Sequence, residues 1–127
     1  MRTPLSATGM VRCPSCKTSL PWIVDADDAD LIAALATAQL VLLDLWAPWY
    51  APCRTVAPAL ERLAARHAGQ LKVVKVNVDR NPLAAARFDA RSIPTLVLLR
   101  AGAPVGRIVG SQPEPVLRAE VEQHLAR

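Results

Sequence analysis

Apolar residues along this chain alternate between two spacings, one helical and one extended. Asp27 or Asp28 heads a segment in which Leu31, Ile32 and Leu35 recur at helical intervals, predicting a capped helix through about Ala38. Leu40 to Trp46 is a dense apolar run interrupted only by Asp44, the pattern of a strand buried on both faces. Beyond a loop holding Pro48 and Pro52, Leu60, Leu63 and Ala64 line one side of a helix reaching about His67, and Pro58 inside it predicts a kink. Leu71 to Val78 is rich in β-branched residues and bounded by Asp79-Arg80-Asn81-Pro82, which predicts a strand. Asn81-Pro82 then suits the cap and first turn of a short helix ending near Phe88. Thr95 to Leu99 reads as a strand, and a turn at Ala101-Gly102-Ala103 leads to Val105 to Val109, predicting a hairpin. Ser111 and Glu114 sit at capping-box spacing before a helix carrying Leu117, Val121 and Leu125 at intervals of four.

The predicted order is therefore α-β-α-β-α-β-β-α. Strands separated by helices imply right-handed parallel crossovers, and the last hairpin adds an antiparallel edge. The fold class is α/β: a central mixed β-sheet with helices on both faces, forming one domain over residues 22–127. Residues 1–21 are a polar, Pro- and Ser-rich tail without periodicity. At 127 residues the chain has room for one core, and its hydrophobic fraction of 52% is enough to fill it. With aromatics at only 4%, that core must be built of Val, Leu, Ile and Ala.

Charge adds little to this picture. The formal net charge is +4, but the fifteen Lys and Arg residues are scattered with no basic run, so no nucleic-acid partner is expected. No segment approaches the roughly 18 apolar residues of a membrane span. The first dozen residues hold no continuous apolar stretch and do not read as a signal peptide, which makes a cytoplasmic location the expectation. Three cysteines, two of them clustered, do not form the framework of a disulfide-rich secreted domain. They point to metal binding or redox chemistry.

The element order, together with several motifs, resembles the thioredoxin family. Leu43-Asp44-Leu45-Trp46-Ala47-Pro48-Trp49 is similar to the family's strand leading into the active-site loop. Ala51-Pro52-Cys53-Arg54 followed by Ala57-Pro58 resembles the end of that loop and the helix after it. Val74-Lys75-Val76-Asn77-Val78-Asp79 resembles the next core strand, and Gly102 and Gly110 match glycines around the final hairpin. Arg91-Ser92-Ile93-Pro94-Thr95 resembles the loop whose proline is cis in this family and faces the active site. The resemblance covers residue 22 to the end and implies a protein-disulfide reductase that requires no cofactor. Its partners would be protein disulfide or peptide clients and a thioredoxin-reductase-like electron donor.

One position departs from the family pattern. Where the family has Trp-Cys-Gly-Pro-Cys, this chain reads Trp49-Tyr50-Ala51-Pro52-Cys53. Thiol–disulfide exchange needs a thiolate that attacks a disulfide sulfur and a second thiol that resolves the mixed disulfide. A phenol, ionising only near pH ~10 in water, is a poor nucleophile and forms no disulfide. Tyr50 stands where the attacking cysteine belongs, and Cys53 matches the resolving one, so loss of the dithiol cycle is expected. Three explanations stand together: a natural or engineered substitution in an otherwise intact exchange protein, a redox-inactive relative serving as a peptide-binding or chaperone-like module, and a monothiol function through Cys53.

The supporting residues are weighed one by one. Asp44 lies inside an apolar strand, where burial should raise its pKa; the bland alternative is a bulge or exposed edge. The resemblance implies that Asp44 assists proton transfer to the resolving thiol with Lys75 nearby, although Lys75 alone reads as a solvated strand residue. Trp49, Ala51, Pro52, Ile93 and Pro94 are the candidate client-binding residues, forming an apolar patch with Tyr50 and Trp46. His67 and His124 fall near helix C-termini, which favours a positive charge there, and neither is assigned a catalytic role. In the tail, Cys13-Pro14-Ser15-Cys16 resembles the last half of the zinc ribbon found before some bacterial thioredoxins. A structural zinc site takes four ligands, and no Cys or His precedes Cys13. Zinc at Cys13 and Cys16 therefore needs a second pair from another chain or His residues approaching from the domain; otherwise the pair forms a local disulfide or remains a vestigial tail, and the chain is a monomer or a metal-bridged dimer.

Overall fold

The computed structural model describes residues 21–125. Its elements run β1 (Trp22–Asp25), α1 (Leu31–Leu35), β2 (Leu40–Trp46), α2 (Ala51–Arg66), β3 (Leu71–Asn77), α3 (Pro82–Arg87), β4 (Thr95–Arg100), β5 (Ala103–Val109) and α4 (Glu114–Leu125). The five strands form one mixed sheet in the order β1-β3-β2-β4-β5. The pairs β1–β3 and β2–β3 are parallel, and β2–β4 and β4–β5 are antiparallel. This is a thioredoxin fold. Side-chain alternation along the strands splits the interior into two layers. Val41, Leu43, Leu45, Val74 and Val76 pack against Leu31, Ala34 and Leu35 of α1 and Ala84 of α3. Leu40, Leu42, Leu71 and Val73 pack against Val56, Leu60 and Leu63 of α2 and Leu117 and Val121 of α4.

Two expectations from the sequence are corrected. Among the described residues the first element is a strand, β1, which the predicted order lacked; it exists through its register with β3, Trp22 opposite Lys72 and Val24 opposite Val74. The first helix is also short, five residues rather than the segment from Asp27 to Ala38. The aspartates before it are used elsewhere. Asp28 accepts from the backbone amides of Leu83 and Ala84 at 3.1 and 2.8 Å, so it caps α3, a helix 55 residues away in sequence. Asn81, at the N-cap position of α3, makes no side-chain cap bond to its own helix. Its side chain instead accepts from the Asp28 amide at 2.7 Å and donates to Asp27 and to the Asn77 carbonyl. Each segment thus satisfies the other's orphan donors.

The capping box before α4 gives way to a different arrangement. The amides of Val116 and Leu117 bond to the Pro113 carbonyl, and the Glu114 carboxylate pairs with Arg62 of α2 at 2.6 Å. Pro58 withholds one backbone donor from α2 without ending it, and the helix runs for sixteen residues in all, from Ala51 to Arg66. Cys13 and Cys16 lie outside the described residues. Among those residues, no group of three or more His, Cys, Asp or Glu side chains could hold a metal ion, and no helix is long and apolar enough to cross a membrane.

Lys72 is a buried cation that the strand pattern of β3 concealed. Its ammonium donates to the Ala34 carbonyl at 2.5 Å and lies 4.3 Å from the centre of the Trp22 ring. Burial holds its pKa down at about 8. A base whose folded pKa is lowered binds fewer protons folded than unfolded, so its charging penalty is relieved as pH climbs from about 8 to the free value of 10.5. Against Lys72→Met, the parent should gain stability across that window by roughly 1 kcal/mol, a value discounted for screening. Paired urea denaturation curves at pH 7 and pH 10.5 check this.

Candidate functional site

The site lies where β2 runs into α2. Ala47, Pro48 and Trp49 carry the chain out of the sheet, and Tyr50 takes the N-cap position of α2 with extended φ −102° and ψ 112°. The Cys53 amide donates to the Tyr50 carbonyl at 3.1 Å, closing the first turn. Three positions into the helix, the Cys53 side chain points inward and is 3% exposed. Trp49 is 65% exposed and Tyr50 38%, and their ring centres stand 5.6 Å apart. The two aromatic rings are thus exposed on the loop that precedes the buried thiol. Ala51 is exposed and Pro52 half-buried beside them.

Arg54 holds this loop in place. Its guanidinium donates to the Pro48 carbonyl at 2.7 Å, tying the start of the helix back to the strand exit. Sequence reading had treated Arg54 only as part of a motif. A helix residue bonding to a carbonyl six positions earlier leaves no periodic signal.

Asp44 and Lys75 are brought together by register, facing each other across the parallel β2–β3 pair. Asp44 is 1% exposed, and its Oδ1 is buried without a hydrogen-bond partner. Burial raises its pKa to about 7, and the Lys75 charge opposes only part of that rise. Asp44 is therefore neither an edge residue nor a bulge residue. Lys75 is half-buried, its ammonium 5.1 Å from the centre of the Trp46 ring. It also lines a polar recess of about 450 Å³ with Asp25, Trp46, Asn77 and Arg80.

The Cys53 thiol is pushed above its ordinary pKa chiefly by burial, and the Asp44 charge adds to the rise. A hydrogen bond from the Ala47 backbone and the nearby Arg54 charge act in the opposite direction. Together these leave a protonated, sheltered sulfur. Such a thiol suits a reaction in which it attacks a neighbouring disulfide late, after a base has removed its proton, rather than a first encounter with a bulky client.

The second loop of the site joins α3 to β4. The Ile93–Pro94 peptide bond is cis. Ile93 is half-buried, Pro94 is buried, and the Gly110 amide donates to the Pro94 carbonyl at 2.9 Å. Thr95 Oγ1 donates to the Ser92 carbonyl. Sequence reading missed the anchor on the other side of this loop. Arg107 of β5 donates to the carbonyls of Phe88 and Asp89 at 2.6 Å each. Nothing local to Arg107 in the sequence marks it.

Comparison with known proteins agrees with this geometry. A family model described as Thioredoxin matches residues 21–123. The chain is 47% identical over 85 residues to "Thioredoxin 1" of Nostoc sp., covering 67% of this chain and 79% of that relative. It is 41% identical over 104 residues to "Thioredoxin" of Haemophilus influenzae, covering 81% of this chain and 97% of that relative. It is also 41% identical over 103 residues to "Thioredoxin" of Staphylococcus aureus, covering 81% and 98%.

Proposed function

The chain belongs to the thioredoxin family of disulfide oxidoreductases, and from that premise we propose that it retains the client-docking and proton-handling parts of an exchange site while lacking the atom that begins the exchange. The observation that carries this reading is Tyr50 at the N-cap of α2, with Cys53 buried three residues on. At a helix N-terminus, unsatisfied amides and the helix dipole favour an anion, which is why an attacking thiolate belongs there. A tyrosine in that place offers a ring for packing and a hydroxyl for hydrogen bonding, but no sulfur.

In a complete cycle, a thiolate at position 50 would attack a client disulfide and release one client thiolate, leaving a mixed disulfide. Cys53, deprotonated with help from Asp44, would then attack the sulfur at position 50 and release the second client thiol. Here the first bond cannot form. Asp44 and Lys75 keep the arrangement suited to the second step. Trp49 and Tyr50, both exposed, and the half-buried Ile93 keep an apolar surface for an extended peptide, while Pro94 itself is buried.

The expected result in an insulin-reduction assay driven by dithiothreitol is turbidity onset no earlier than with dithiothreitol alone. Robust acceleration by the parent chain would overturn the reading. A second reading, a non-catalytic peptide-binding module, is favoured by the exposure of Trp49 at 65% next to Tyr50, an aromatic pair left facing solvent. Its clients would be unfolded or extended protein segments, with no electron donor required.

A further inference from the structure

The Ile93–Pro94 loop is held from β5 and its end, in part through Arg107, which lies outside the family motifs. Asp89, the residue after the C-cap of α3, has a left-handed φ of 52°. That conformation closes a Schellman motif, in which the Asp89 amide donates to the Ala86 carbonyl at 3.2 Å and the Ala90 amide to the Ala85 carbonyl at 2.8 Å. Further bonds converge on the Asp89 carbonyl, which accepts both from the Arg91 amide at 2.9 Å and from the Arg107 guanidinium at 2.6 Å. The second arm of that guanidinium takes the Phe88 carbonyl at 2.6 Å. On the other side of the loop, the Gly110 amide just past the end of β5 takes the Pro94 carbonyl. One edge strand therefore holds the segment 88–94 at two points, by a side-chain fork and by a backbone amide.

From this geometry we infer that Arg107 is a positioning residue for the client-facing loop, setting where Ile93 and Pro94 sit relative to Trp49 and Tyr50. Beyond the Asp89 carbonyl only Ala90, Arg91 and Ser92 precede Ile93, and the Arg91 amide is bonded to that carbonyl. A displaced Asp89 therefore moves the loop. The planar guanidinium matters because it reaches two carbonyls with two parallel N–H groups, whereas an ammonium offers a single point charge. The inference rests on the client-docking reading above.

The test has two arms that fail separately. In the Tyr50→Cys background, insulin reduction is followed at varied insulin concentration with and without Arg107→Ala, Arg107→Lys and Arg87→Ala. Arg107→Ala is expected to raise KM about tenfold with kcat within about twofold, since loop placement governs docking more than sulfur chemistry. Arg107→Lys should recover thermal stability but not KM. Arg87→Ala, which removes the guanidinium lying 5.2 Å from the centre of the Phe88 ring, should leave KM unchanged. The second arm uses the parent chain and requires no activity: Arg107→Ala should shift the amide resonances of Ser92, Ile93 and Thr95 in a ¹H–¹⁵N spectrum. Unmoved loop resonances, or a KM within twofold of the background, would overturn the inference. If Tyr50→Cys itself is inactive, the reading of an otherwise intact exchange site is what fails, and the spectrum alone decides the role of Arg107.

Discussion

Tyr50→Cys should give the chain an insulin-reducing activity about a hundredfold or more above the parent, because it supplies the one missing reactant to a site otherwise assembled. The introduced thiol would occupy the N-cap of a sixteen-residue helix, where the helix field lowers a thiol's pKa. Cys53 already stands on the first turn of that helix, buried and coupled to Asp44. Dithiothreitol-driven turbidity measures the gain, and trapping with a thiol reagent before and after reduction checks that the new thiol and Cys53 cycle as a pair. Continued inactivity of a folded Tyr50→Cys chain would favour the peptide-binding module.

The second large effect concerns stability. Asp44→Ala should stabilise the protein by about 3 kcal/mol at pH 8 and change little at pH 3. The sign follows from the raised pKa. An acid moved from 3.8 to about 7 is held protonated by the fold. The stability it contributes is complete below pH 3.8 and is lost as pH rises through 7. At about 1.4 kcal/mol for each pH unit between the two values, the cost at pH 8 is roughly 4 kcal/mol, and alanine returns most of it after a small packing loss. The orphaned Oδ1 acts in the same direction, because alanine leaves no buried polar atom without a partner. Urea denaturation of parent and variant at the two pH values measures the difference. Equal stabilities at pH 8 would mean that Asp44 is not the buried acid described above.

How far the sequence reaches into this structure depends on the range of the interaction. β2, with seven successive residues of which only Trp46 escapes full burial, announces itself because a central strand covered on both faces has no polar face. β1 has four residues and one neighbour, so its pattern is too short to read without knowing that β3 lies alongside. Asp27 and Asp28 look like caps for the helix that follows them, and local reasoning assigns them there. The bonds they make are to a helix more than fifty residues on. The site divides in the same way. Tyr50, Cys53, Trp49 and Pro94 stand in contiguous motifs. The Asp44–Lys75 pairing follows from the register of two strands, each readable alone. Arg54 on Pro48 and Arg107 on Phe88 and Asp89 are side chains reaching backbone carbonyls across the fold, and no spacing rule encodes them.

The reciprocal bonding of Asp28 and Asn81 also carries an expectation for local opening. The amides of Leu83 and Ala84 are protected only while the Asp28 carboxylate stays in place, and the Asp28 amide only while Asn81 does. Two helices of five and six residues, each too short to be stable alone, are thereby tied together through the segment that precedes α1. Their amides are expected to exchange together in a hydrogen-exchange experiment, apart from those of α2 and α4, which pack on the opposite layer.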